Sequence, residues 1–87
     1  MLEYHAAYYE EEGWFAAEVL DFPGALSQGR TLRSARRNIR DALRLMAETL
    51  VERGEPLPQP NAQARDRRAA FQEVIRLKTR FLAENKS

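Results

Sequence analysis

The chain has 87 residues, 44% of them hydrophobic and 31% charged, and 14 basic side chains against 13 acidic ones leave a net charge of +1. That length suits one packed domain and not two, and the composition excludes a disordered, highly charged polymer. The near-zero charge excludes a global pull toward nucleic acid or anionic lipid, while the lack of cysteine excludes a disulfide framework or thiolate metal site and fits a cytoplasmic setting.

Met1 to Glu12 shows no basic stretch ahead of an apolar core, and no run of about 18 apolar residues occurs, so neither export nor a membrane span is expected. Leu2 to Tyr9 is rich in tyrosine and alanine and Trp14 to Leu20 in aromatic and branched residues, with Glu10, Glu11, Glu12 and Gly13 between them. This pattern predicts a β-hairpin with a four-residue loop and Tyr9 opposite Trp14. Side chains alternate along a strand. One face therefore carries Tyr4, Ala6, Tyr8, Phe15, Ala17 and Val19, an apolar seat for a helix. The other carries Tyr9, Trp14, Ala7, Ala16, His5 across from Glu18, and Glu3 across from Leu20. This amphipathic face is expected to be partly covered by a second subunit, the C-terminal segment or a partner.

Asp21-Phe22-Pro23-Gly24 supplies a turn, since proline fixes φ and glycine tolerates positive φ. Ala25 to Gln28 reads as a short third strand ended by Gly29. Thr31 is placed to cap a helix. From Leu32 to Arg53 the residues Leu32, Ala35, Ile39, Ala42, Leu43, Met46 and Leu50 recur every three or four positions, the mark of a helix with one buried stripe. Gly54 ends it, and Pro56, Pro58 and Pro60 forbid continuation. Its first turn holds Arg33, Ser34, Arg36 and Arg37, so neither a capping box nor acidic residues are expected there. Beyond Asn61, Phe71, Val74, Ile75, Phe81 and Leu82 line one side at helical spacing. This predicts a second helix from about Ala64 to Ala83, with a strand over Phe71 to Leu77 as the alternative. The three prolines favour an extended path that carries this segment away from the first domain.

The ordered set Gly13-Trp14-Phe15, Asp21-Phe22-Pro23-Gly24, Ser27-Gln28-Gly29, Thr31-Leu32, Ala35, Asn38-Ile39, Ala42-Leu43 and Gly54 through Leu57-Pro58 resembles the N-terminal domain of the HicB family, the antitoxin half of HicA/HicB toxin–antitoxin pairs. The resemblance implies a partial RNase H-like fold, a three-stranded antiparallel sheet packed on a helix. It also implies a protein partner, HicA, a small basic ribonuclease toxin whose active site the antitoxin blocks, and assembly as dimers or tetramers. Many members add a helix-turn-helix or ribbon-helix-helix that binds the operon's promoter. The 27 residues after Pro60 leave no room for either, so promoter binding is not expected.

The expected architecture is α+β in two layers. Residues 1–60 form a three-stranded antiparallel meander on one helix, and residues 61–87 a C-terminal amphipathic helix for packing or oligomerisation. Three surfaces are candidates for function. The acidic tip Glu10, Glu11 and Glu12, flanked by Tyr9 and Trp14, could meet a basic partner. Arg33, Arg37, Arg40 and Arg44 form a stripe opposite the buried one, with Arg36 beside it, and could meet phosphates or an acidic patch. Asp41, Glu48 and Glu52 compensate that stripe in part. Phe71, Val74, Ile75, Phe81 and Leu82 form a candidate oligomer interface.

No catalytic, metal or cofactor-binding residue is assigned. RNase H-type cleavage needs several carboxylates converging on a divalent metal, and the first strand offers only Glu3 near its start, so no enzyme activity is expected and resemblance of fold does not supply one. His5 and Glu18 read as a cross-strand polar pair. The function that follows is toxin neutralisation through a protein–protein interface. The alternatives are a nucleic-acid-binding module using the arginine stripe and an orphan homo-oligomeric structural domain.

Overall fold

The computed structural model describes residues 2–78. Five elements follow in order: β1 (Leu2–Glu11), β2 (Trp14–Val19), β3 (Leu26–Gly29), α1 (Leu32–Glu52) and β4 (Phe71–Leu77). The strands form one antiparallel sheet in the order β3-β2-β1-β4, so β1 is paired on both sides.

The hairpin forms with a tighter turn than the sequence suggested. Trp14 stands opposite Glu11 and Tyr8 opposite Ala17, leaving only Glu12 and Gly13 to turn. Gly13 makes this possible by adopting φ +77, a conformation without steric cost only for glycine. The register is two residues away from the Tyr9/Trp14 pairing. Because strand side chains have period two, a shift of two leaves every residue on its expected face. Tyr4, Ala6, Tyr8, Ala17 and Val19 are accordingly buried.

α1 lies on that face and buries Ala35, Ile39, Leu43 and Ala47, with Leu32, Ala42, Met46 and Leu50 at the margin. The expected capping box absence is corrected. Thr31 Oγ1 accepts from the Ser34 N–H and Ser34 Oγ accepts from the Thr31 N–H, both at 3.0 Å, so serine takes the place usually held by glutamate. Gly29 allows the close approach of β3 to this first turn. A Cβ there would overlap Ser34 Oγ and the Ala35 backbone nitrogen. The turn after β2 also contributes to the core, for Phe22 is fully buried with its ring edge-on to Tyr4 at 5.1 Å.

The predicted C-terminal helix is not formed within the described residues. Phe71–Leu77 is a strand that pairs with β1 in the register Tyr8↔Phe71, Tyr4↔Ile75 and Leu2↔Leu77. This completes the sheet as four strands instead of a three-stranded meander. The helical spacing of Phe71, Val74 and Ile75 competes with an alternation that also fits, and pairing along the open edge of β1 decides for the strand. Ile75 and Leu77 join the core at 1% and 3% exposure.

The proline-rich segment does not lead away either. It turns back against the sheet, with Leu57 packed on the core and the Pro58 carbonyl at Tyr4 on the α1 side, and from Asn61 on continues as a strap over the opposite face. The Tyr4 hydroxyl donates to the Pro58 carbonyl at 2.7 Å, the Asn61 N–H to Asp21 Oδ2 at 2.9 Å and the Gln72 side chain to the Ala64 carbonyl at 3.1 Å. Ala7, on that face, is fully buried. Among the described residues no helix is long and apolar enough to cross a membrane.

Candidate partner interface

The hairpin tip is an exposed acidic feature. Glu10 and Glu11 end β1, Glu12 sits in the turn, and all three are exposed. Trp14, opposite Glu11, keeps 38% of its surface in solvent. Tyr9 behaves differently. Its hydroxyl lies 2.7 Å from Asp66 Oδ2 and 3.0 Å from Glu18 Oε1, so one proton serves two carboxylates. Two bonds from the Arg68 side chain, at 3.1 and 3.0 Å, with the Arg68 N–H and Tyr9, hold Asp66 well below the usual carboxylate range. Burial, then the bonds to Asp66 and Glu18, push the Tyr9 hydroxyl up. Tyr9 is thus committed to the strap, and Glu10, Glu11, Glu12 and Trp14 are the tip residues available to a partner.

An open cleft of about 910 Å³ runs from this tip to the start of α1, lined by Glu12, Trp14, Gln28, Arg30, Ser34 and Asn38 among others. The Asn38 side chain donates to the Gln28 carbonyl at 2.8 Å, joining α1 to the outermost strand.

The arginine stripe is not uniformly free. Arg36 grips Glu73 of β4 with two bonds of 2.9 Å, Arg40 approaches the same carboxylate at 3.6 Å, and Arg44 pairs with Glu48 one turn on at 3.2 Å. Burial raises the Glu73 pKa, but Arg36, the Tyr8 hydroxyl and Arg40 outweigh it and hold the carboxyl below its ordinary range. Arg33 and Arg37 are exposed and in no ion pair among the described residues. Glu48 compensates the stripe as expected, whereas Glu73 was missed. Its part becomes visible only when Phe71, Glu73 and Ile75 are placed on one side of a strand.

The proposed oligomer patch is divided by the same strand. Ile75 is core, and Phe71 stacks on Tyr8 at 5.6 Å and is 39% exposed, with the Arg36 guanidinium 5.9 Å from its ring. Val74 is on the opposite face, 49% exposed. Phe81 and Leu82 lie outside the described residues.

His5 does not pair with Glu18. Its Nδ1 lies 2.8 Å from Asp21 Oδ2, while Asp21 Oδ1 accepts from the His5 N–H at 2.8 Å and Oδ2 also accepts from Asn61. Burial opposes ionisation of Asp21, but the Asn61 N–H and the two His5 contacts win, and the carboxyl sits below its usual range. The sequence placed Asp21 in a turn; its role as a clasp between β1, that turn and the strap depends on the strap's path. Among the described residues no three His, Cys, Asp or Glu side chains gather to hold a metal ion.

Comparison with known proteins bears directly on this arrangement. Residues 5–79 match the model of the HicB-like antitoxin of bacterial toxin–antitoxin systems. The UPF0150 protein Ta0767 of Thermoplasma acidophilum is 35% identical over 54 residues, covering 62% of this chain and 78% of that protein. The crystal structure of the N-terminal domain of Burkholderia pseudomallei antitoxin HicB superposes with a TM-score of 0.76 at 26% identity, over 88% of this chain and 99% of that one. The longer structure of the same antitoxin gives 0.80 at 26% identity, over 94% of this chain and 66% of that one. A HicA3 and HicB3 toxin–antitoxin complex contains a chain of the same fold, with a TM-score of 0.70 at 19% identity over 88% of this chain and 99% of that one. With most of its length matched by the family model, the chain belongs to the HicB-like antitoxins of bacterial toxin–antitoxin systems.

Proposed function

We propose that the protein neutralises a small, basic HicA-type toxin by binding it and masking its active site, with the hairpin tip as the docking surface. The observation that carries this reading is the tip itself. Glu10, Glu11 and Glu12 are exposed, none is in an ion pair among the described residues, and the half-exposed Trp14 stands beside them. Carboxylates of this kind steer a cationic partner, and a neighbouring aromatic supplies the desolvated anchor around which interfaces concentrate their affinity. The fold shared with a chain of a toxin–antitoxin complex supports the same reading. The nucleic-acid alternative is weakened because Arg36, Arg40 and Arg44 are engaged by Glu73 and Glu48.

The test is growth rescue. A HicA-type toxin from the neighbouring reading frame should arrest growth when expressed alone, and co-expression of this chain should restore it. The variant Glu10→Lys/Glu11→Lys/Glu12→Lys should fold with an unchanged circular dichroism spectrum yet fail to rescue. Full rescue by that variant would move the toxin surface elsewhere.

A further inference from the structure

The open cleft beside the hairpin tip has two ends of opposite charge and an aromatic between them. Glu12 bounds it in the β1–β2 turn, Arg30 bounds it where the chain leaves β3, and Trp14 lines it in the middle. Trp14 is opposite Glu11 on one side, and on the other Phe15 is opposite Gly29, so the next step outward sets Trp14 level with Arg30. At about 4.8 Å per strand the two charged ends lie about 10 Å apart. Glu12 and Arg30 are exposed and in no ion pair among the described residues. Trp14 is 38% exposed, and its ring meets no other ring among the described residues. Ser34 is occupied by the cap and Asn38 Nδ2 by the Gln28 carbonyl, which leaves the Asn38 amide oxygen as an acceptor on the α1 wall.

We propose that this cleft binds a guanine nucleotide. A ligand that fits must present hydrogen-bond donors at one end, a flat ring in the middle and an anion at the other end, over the reach of a single nucleotide. Stacking on tryptophan accepts any base, since every base has a π-face, so the carboxylate makes the choice. A carboxylate only accepts, through two oxygens, and guanine alone among the four RNA bases presents two adjacent donors, N1–H and N2–H, on one edge. Adenine and cytosine offer an amino group beside an acceptor nitrogen, and uracil offers one N–H between two carbonyls. Arg30 meets the phosphate at the far end with its fork of N–H donors. No acidic residue in the first turn of α1 opposes it there, and Asn38 Oδ1 is an acceptor for a ribose hydroxyl. The volume of the cleft, about 910 Å³, falls within the range of about 300–1,000 Å³ for small-molecule sites. The same recognition serves a free nucleotide and an unpaired guanosine of an RNA strand. Glu12 and Trp14 also belong to the proposed toxin surface, so an occupied cleft would compete with the toxin, whereas Arg30 belongs to the cleft alone.

Trp14 emission reports on the cleft directly, the tryptophan being unique in the chain. GMP should quench it saturably with a half-point below about 1 mM, and calorimetry of the same titration should give one nucleotide per chain. AMP, CMP and UMP should bind at least about tenfold more weakly, because each leaves the Glu12 carboxylate without its pair of donors. Glu12→Gln should remove the preference for guanine and leave AMP binding unchanged. Arg30→Ala should weaken GMP but not guanosine, and should leave growth rescue from the toxin unchanged, which separates this site from the toxin reading. A short uridine-rich RNA carrying one guanosine identifies the source of the ligand. Tighter binding of that RNA than of GMP points to a strand and the reverse to the free nucleotide, and either supports the site. Three outcomes would overturn the proposal: emission that neither GMP at about 5 mM nor the RNA changes, equal affinity for GMP and AMP, or a Glu12→Gln variant that keeps the preference for guanine.

Discussion

Arg36 of α1 and Glu73 of β4 are joined by two parallel hydrogen bonds, Nε to Oε2 and Nη2 to Oε1, each 2.9 Å long. The Tyr8 hydroxyl donates to Oε2 at 2.6 Å, so one carboxylate connects the helix, the central strand and the edge strand. Tyr8 is fully buried, and burial followed by its bond to Glu73 pushes its pKa up. A Glu73→Ala change removes the acceptor and leaves that hydroxyl unsatisfied, which costs about 1–3 kcal/mol. In a domain of this size that lowers the melting temperature by roughly 4–8 °C per kcal/mol. Glu73→Gln retains an acceptor and should cost less. Equal melting of the two variants would show that Tyr8 does not depend on this contact.

Gly29 tests the approach of sheet to helix. Its φ is not positive, so the demand is for space and not for backbone freedom. An added methyl would meet the Ala35 backbone, which cannot rotate aside as the Ser34 hydroxyl can. Gly29→Ala should therefore cost about 1–3 kcal/mol, the usual range for overpacking. At Gly54, with φ +70 and open space around it, the penalty of an alanine is conformational, about 1–2 kcal/mol. Thermal melts distinguish the two causes, because asparagine tolerates the left-handed region: Gly54→Asn should cost less than Gly54→Ala, whereas Gly29→Asn should cost at least as much as Gly29→Ala.

Acid should unfold the protein through identified groups. Asp21, Glu73 and Asp66 are all held below their ordinary values of 3.8, 4.5 and 3.8. A carboxyl with a depressed folded-state pKa contributes stability that is complete above its unfolded value and is lost as pH falls toward the folded one. Stability should thus be level near neutrality and decline below about pH 5. Tyr8 and Tyr9, raised from 10.0, act at the other end and should cost stability above about pH 10. Denaturant titrations across pH should show Asp21→Asn less stable than wild type at pH 7, with the two curves converging in acid. Parallel curves would remove Asp21 from the account.

The hairpin, α1 and their shared core were legible because each rests on a local period, and an even register error cannot turn a strand over. Tyr4, Ala6, Tyr8, Ala17 and Val19 occupy the expected face. β4 was not legible in the same way, since Phe71, Val74 and Ile75 fit a helix while Phe71, Ile75 and Leu77 fit a strand, and only the unpaired edge of β1 separates the two. The Glu73 miss shares that origin, since Glu73 could not be paired with Arg36 before β4 had a position. Asp21 was missed through the hairpin register, for the two-residue shift sets His5 beside Leu20 and Asp21 and away from Glu18. The acidic tip and the arginine stripe were visible as charge, but which arginines remain free is a tertiary fact.

Residues beyond Pro60 are predicted to be indispensable to the fold of those before it. β1 pairs with β4 along Leu2 to Tyr8, and a chain ending at Pro60 exposes that whole edge of the central strand. It loses Ile75 and Leu77, buried at 1% and 3% exposure, each worth about 1.5–3 kcal/mol as an apolar side chain. It also orphans Tyr8 by removing Glu73, and it removes the Asn61 N–H from Asp21. Against a total stability of about 5–15 kcal/mol for a small domain, these losses consume most of what holds the domain folded. The bared edge of β1, with alternating tyrosines and alanines, is a template for intermolecular pairing. The shortened chain should therefore melt without a cooperative transition or sediment as aggregate. A monomer of residues 1–60 that unfolds cooperatively near the full chain's melting temperature would show that the three-stranded meander and α1 stand alone, and that β4 only decorates them.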